Sequence, residues 1–153
     1  EPEFEEMIEK GALIEYARYV NHYYGTPRAY VESKLAEGKD VLLEIEIQGA
    51  LKVKEQFPEA LLVFLVPPSA AELKERLSGR GTETEEVIEK RLKRAAEEAE
   101  GMTSYEYILV NDKVEDCTAR LHALIQSQHY RTSACRELIR RMEEELKELT
   151  KKA

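Results

Sequence analysis

The spacing of apolar residues changes several times along this chain, and each change marks an element. Phe4, Met7 and Ile8 recur at helical spacing up to Gly11, which predicts a short helix with a glycine just past its end. Residues 12–19, with Ile14 and Tyr16, form a β-prone run, and Asn21-His-Tyr-Tyr-Gly25 reads as the turn or loop that follows. Thr26-Pro27 offers a helix cap and a first-position proline, and Tyr30, Val31 and Leu35 give that helix its apolar face as far as Gly38. Asp40-Val-Leu-Leu-Glu-Ile-Glu-Ile-Gln-Gly49 is predicted to be a buried strand, with Glu44 and Glu46 at alternate positions near its carboxyl end and so on one face.

A helix from Ala50 to about Gln56 stops at Phe57-Pro58. Leu61-Leu-Val-Phe-Leu-Val66 is apolar on both faces, as in a parallel sheet covered by helices. Ser69-Ala-Ala-Glu72 is a capping box opening a helix through Leu73 and Leu77. Arg80-Gly81 reads as a flexible joint, after which Thr82-Glu-Thr-Glu85 starts a long charged helix with Ile88, Leu92, Ala95, Ala96 and Ala99 on its apolar side. Tyr105 to Val110 is predicted to be a third buried strand, and Asp112-Lys-Val-Glu115 to cap a helix faced by Val114, Cys117, Leu121, Leu124 and Ile125. A last helix from about Ser133 shows Leu138, Ile139, Met142, Leu146 and Leu149.

Strands alternating with helices in this order predict an α/β fold, a three-layer α/β/α parallel sheet with right-handed crossovers. In such sheets ligands bind outside the carboxyl ends of the strands, which is where Glu44 and Glu46 fall. With 153 residues, 42% of them hydrophobic, the chain suits one domain. A net charge of −8 argues against a nucleic-acid surface and leaves a small anion, held by local arginines, open. Cys117 and Cys135 are far apart and lack metal-ligand spacing, so neither a disulfide framework nor a zinc site is indicated, and a reducing, cytoplasmic setting fits. No apolar run reaches membrane-span length.

Arg76, Arg80 and Arg91 bracket a glycine-flanked turn. They read either as a solvated face or as a lid that clamps a transferring phosphoryl group, whose oxygens gain charge in the transition state. Glu44 and Glu46 are either edge carboxylates or the floor of a site. Tyr23 and Tyr24 pack a turn or meet a ligand, Asn111-Asp112 alone reads as a cap, and His22, His122 and His129 are isolated and read as structural.

Together, Glu15-Tyr-Ala, Tyr23-Tyr-Gly-Thr26, Val41-Leu-Leu-Glu-Ile-Glu-Ile-Gln-Gly-Ala50, Pro67-Pro-Ser69, Arg76-Leu-Ser-Gly-Arg-Gly-Thr82, Lys90-Arg-Leu92 and Val110-Asn-Asp112 resemble the guanylate kinases, in order and spacing, over essentially the whole chain. The resemblance implies a P-loop NTPase-like fold and transfer of the γ-phosphoryl of ATP to GMP with Mg2+. It implies that Glu15, Thr26 and Glu46 read the guanine edge and Tyr24 the GMP phosphate. Glu44 would support the magnesium through its waters, with no direct protein ligand to the metal, and Asn111 would lie beside the adenine. Arg76, Arg80 and Arg91 would close over the phosphates. Glu46 stands where many members have Asp.

The same resemblance divides the chain into a remainder of the GMP-binding part at 1–39, a core at 40–78 and 93–130, a lid at 79–92 and a C-terminal helix at 131–153. No G-x-x-x-x-G-K-[ST] occurs in the sequence. The expectation is therefore a fold truncated at its amino end, without the central phosphate-loop strand between 40–48 and 61–66, and inactive alone. The alternative is a non-catalytic guanylate kinase-like module that holds phosphopeptides. GMP and ATP are the expected partners, with no nucleic acid or membrane, and self-association through the unpaired sheet edge or the C-terminal helix is a further expectation.

Overall fold

A computed structural model describes residues 1–19, 22–79, 81 and 84–151, the side chain of Tyr19 excepted. Helix α1, Pro2–Glu9, leads into an antiparallel hairpin of β1, Leu13–Tyr19, and β2, His22–Pro27. His22 to Gly25 is thus strand, not the turn that its polar and glycine content predicts. Thr26 is paired with Glu15 in the ladder, so Pro27 stands at the start of helix α2, Arg28–Ala36, without a side-chain cap.

The hairpin slips register between Leu13 and Glu15, leaving Ile14 as an extra residue. Alternation would send every second side chain outward, whereas a bulge re-aims the chain. Consequently Leu13, Ile14 and Glu15 are consecutive and all buried. The Ile14 carbonyl accepts from the Gln56 amide, which in turn accepts from Arg28. Ile14, only 2% exposed, then joins Val31 and Val53 in the core cluster.

Helix α2 ends on Gly38 at φ +79°, with Lys39 N–H on the Lys34 carbonyl and Gly38 N–H on that of Leu35. This left-handed closure, cheap only for glycine, reverses the chain into residues 40–46. Here the expectation is corrected. Among the described residues no strand pairs with 40–46, which form no ladder, and the helix that follows, α3, starts at Ile47 and runs to Gln56, ahead of the predicted Ala50. The two-residue period survives without the ladder: Val41, Leu43 and Ile45 pack against the Ile14 cluster, while Leu42, Glu44 and Glu46 are exposed. A strand is defined by its neighbour, and an alternating pattern by what one face covers.

The parallel sheet consists of β3, Val63–Val66, beside β4, Tyr107–Val110, in register from Val63 with Tyr107 to Val66 with Val110. Both strands are shorter than the apolar runs, and Leu65, Tyr107, Ile108 and Val110 are exposed rather than buried. A two-stranded ladder cannot cover both of its own faces. Helix α4, Ala70–Ser78, is capped as predicted by Ser69, whose Oγ accepts from Glu72 N–H at 3.1 Å. Thr84 caps α5, Glu85–Ala99. Helix α6, Val114–Ser127, begins after Lys113 without the predicted Asp112 cap, and a 3-10 turn at Thr132–Cys135 leads into α7, Arg136–Lys151.

The C-terminal turn is tied back to the loop after α3. A hydrogen bond with Ser133 holds the Glu59 carboxyl below its ordinary pKa against the desolvation that opposes it, with smaller help from Arg131, Arg136 and Lys54. A lowered carboxylate stabilises the fold above its unfolded pKa, and that contribution is lost as pH falls through the folded value. Ser133→Ala should therefore lower the melting temperature at neutral pH, with the deficit closing below about pH 4. A deficit unchanged in acid would count against the tie.

Candidate functional site

The bulge in β1 delivers Glu15 into the interior, where it is 9% exposed. Thr26 Oγ1, opposite it on β2, donates to Glu15 Oε1 at 2.7 Å. The other oxygen lies against the first turn of α3: a Cβ on Gly49 would stand 3.0 Å from Glu15 Oε2. Glycine is what lets the carboxylate reach the helix amino end, where the backbone partial charge favours an anion. Burying a carboxylate is costly unless it has partners. Among the described residues, the Thr26 hydroxyl is the side-chain donor to this carboxylate, which leaves acceptor capacity on both oxygens for a ligand's N–H donors.

Tyr23 and Tyr24 separate cleanly. Tyr23 stacks on Phe4 with centroids 4.8 Å apart and lies under Arg18, whereas Tyr24 is 58% exposed with its hydroxyl in solvent reach. Glu44 and Glu46 share the exposed face of 40–46. Glu46 is bound across the site by Arg94 of α5, Nη2 to Oε1 at 2.5 Å, and Arg94 Nε also contacts Glu98 Oε1 at 3.2 Å.

Arg76 is half-buried and already engaged. Its Nε donates to Glu72 Oε1 at 3.1 Å and its Nη1 to the Asn111 carbonyl at 2.9 Å, pinning α4 to the end of β4. Arg76 and Asn111 are thus brought together, 35 residues apart in sequence. Arg91 is exposed on α5, three residues before Arg94 and so on a neighbouring part of the same face. Arg80 lies outside the described residues. Of the histidines, His129 meets Asp40 at 3.2 Å, joining the 3-10 turn after α6, Gln128–Tyr130, to the start of 40–46.

The sequence profile described as guanylate kinase matches residues 1–128. The chain belongs to the guanylate kinase family. A guanylate kinase from Oceanobacillus iheyensis is 55% identical over 127 residues, covering 83% of this chain and 62% of its own length. One from Bacillus cereus is 52% identical over 144 residues, covering 94% of this chain and 70% of that protein. The chain thus spans less than two thirds of the first of these guanylate kinases. The crystal structure of guanylate kinase from Anaplasma phagocytophilum superposes with a TM-score of 0.71 at 31% identity, over 90% of this chain and 69% of that one.

Within this chain, Glu15, Thr26 and the first turn of α3 come together, and Glu46 meets Arg94 nearby. Arg76 and Asn111 form a second group. Two residues with no predicted role enter the site. Gly49 stood in a quoted motif, but the need for a bare backbone follows only from the carboxylate lying on it. Arg94 had a signal in its spacing from Arg91; its partner, 48 residues upstream, had none.

Proposed function

We propose that this chain carries the guanine-reading and lid elements of an ATP:GMP phosphotransferase, which passes the γ-phosphoryl group of ATP to GMP and yields ADP and GDP. The observation that carries this reading is the buried Glu15 carboxylate, held by Thr26 yet with acceptor capacity to spare. Guanine presents N1–H and an N2 amine side by side, and a carboxylate is the acceptor that fits such a pair. Glu46 supplies a second acceptor, Tyr24 an exposed hydroxyl for the GMP phosphate, and Arg76 with Asn111 the adenine side. Arg80 and Arg91 close over the phosphates. On this reading 1–39 belongs to the GMP-binding part, 40–78 and 93–130 to the core, 79–92 to the lid and 131–153 to the C-terminal helix.

Magnesium enters with ATP. Among the described residues no group of three His, Cys, Asp or Glu gathers as a metal site. An exposed single carboxylate such as Glu44 nevertheless suits Mg2+, which keeps several waters and takes one or two carboxylates besides phosphate oxygens. When bound, the ion neutralises charge on the phosphates. Glu44 would hold its waters.

The 153 residues contain no G-x-x-x-x-G-K-[ST] loop to cradle phosphates. We therefore assign them GMP binding, and transfer to a polypeptide that includes such a loop. GMP-dependent formation of ADP by the whole protein tests the reading, and a lack of turnover with GMP would overturn it. The non-catalytic alternative, phosphopeptide binding, needs Tyr24 but makes no use of Glu15, so the geometry favours GMP. Two free thiols, Cys117 buried, suit a reducing cytoplasmic setting, and no helix among the described residues is long and apolar enough to cross a membrane.

For self-association we choose α7 over the sheet edge. Ile139, Met142, Leu146 and Leu149 alternate in steps of three and four, as in a coiled-coil seam, and all are exposed. Arg136, Arg140 and Arg141 precede Glu143, Glu144 and Glu145, so an antiparallel second copy sets basic against acidic halves. Leu146→Glu is expected to reduce a dimeric mass in light scattering to that of the monomer. A parent that is monomeric at every concentration would contradict the pairing.

A further inference from the structure

Arg94, in the core half of α5, and Glu46 form a tie between that helix and the site floor, at 2.5 Å, yet both side chains stay half exposed or more, 50% and 61%. An exposed ion pair contributes little to stability. Its chemistry is more telling. Guanine contains a guanidine fragment, N1–C2–N2, and presents the same parallel N–H pair to a carboxylate as an arginine fork does. Arg94 is also aimed: Glu98, four residues on and so on the same face, holds its Nε at 3.2 Å and leaves the Nη edge directed at Glu46.

We propose that Arg94 is an internal stand-in for the guanine edge, occupying Glu46 until GMP arrives, so that its displacement couples base recognition to release of the helix that carries Arg91. The inference rests on the reading of Glu46 as a guanine acceptor. With the N1–H/N2–H pair on Glu15, the remaining N2–H of guanine falls to Glu46, and Arg94 holds its Oε1. The base and the arginine therefore compete for one group. Displacing the arginine removes one ion pair between α5 and the floor, and α5 is the element on which Arg91 sits one turn earlier. The pair sets both the affinity for guanine and the readiness of the lid.

The test is calorimetric titration of GMP and AMP into the parent, R94Q, E46Q and the double variant, with hydrogen exchange of the α5 amides. R94Q should tighten GMP binding about two- to fivefold, the range of an exposed ion pair. It should have no effect in the E46Q background. GMP should speed exchange across α5 in the parent, and R94Q should show that faster exchange without ligand. GMP binding that is weaker or unchanged in R94Q would overturn the competition and leave Arg94 an orienting or surface residue. A parent that binds AMP as well as GMP would instead overturn the reading of Glu46 itself, and that outcome is visible before any variant is compared.

Discussion

Replacing Glu15 with glutamine is expected to weaken GMP binding about a hundredfold while leaving the fold in place. The carboxylate accepts from Thr26 on Oε1 and lies against Gly49 with Oε2. An isosteric amide fills the same space, so the Ile14 cluster next to it is undisturbed. The amide, however, replaces one acceptor with a donor that faces the donors of guanine, and removes the charge from the bond that remains. Hydrogen bonds to charged groups contribute about 1.5–3 kcal/mol each. Losing the two that guanine would make costs about 3 kcal/mol or more, which is the stated hundredfold. The melting temperature serves as the control. A variant with parental stability and parental GMP affinity would remove Glu15 from the site.

Arg91→Met is expected to lower the rate of GMP-dependent ADP formation by about a thousandfold in the whole protein, with GMP affinity nearly unchanged. An arginine that meets the transferring phosphoryl group stabilises charge that develops only in the transition state, so its loss appears in kcat rather than in substrate binding. Arg91 lies on the exposed side of α5, a turn before the arginine that touches Glu46. Arg76 is a poorer candidate for this task, since Glu72 and the Asn111 carbonyl already take its donors. It holds the loop after β4, and its replacement should act on ATP binding. A fall in GMP affinity matching the fall in rate would move Arg91 from the transition state to ground-state binding.

What could be read from the sequence and what could not divide along a physical line. Local chemistry was legible: Ser69 caps its helix as read, and α5 starts within the 82–85 run, on Thr84, because a hydroxyl three residues before a free amide needs no distant partner. The inward face of 40–46 was legible in the same way, since Val41, Leu43 and Ile45 alternate and do pack. Whether that segment is a strand depended on a neighbour, and no local pattern reports one. Thr26 shows the limit most clearly. Thr-Pro reads as a cap, yet the hydroxyl is drawn to Glu15 by a register that a one-residue bulge sets. The pairing of Arg94 with Glu46 required the fold to bring the lid helix over the floor. The resemblance to the guanylate kinases pointed to Glu15, Tyr24 and Glu46 as candidates, while the geometry gave Glu15 and Glu46 their partners.

The most direct measurement of the guanine-reading site is titration of the chain with GMP, AMP and a phosphopeptide under one set of conditions. GMP should bind at least tenfold more tightly than AMP, at about 1.4 kcal/mol per tenfold, because adenine offers an acceptor where guanine offers N1–H. Equal affinities for GMP and AMP, or phosphopeptide binding without GMP binding, would contradict the site.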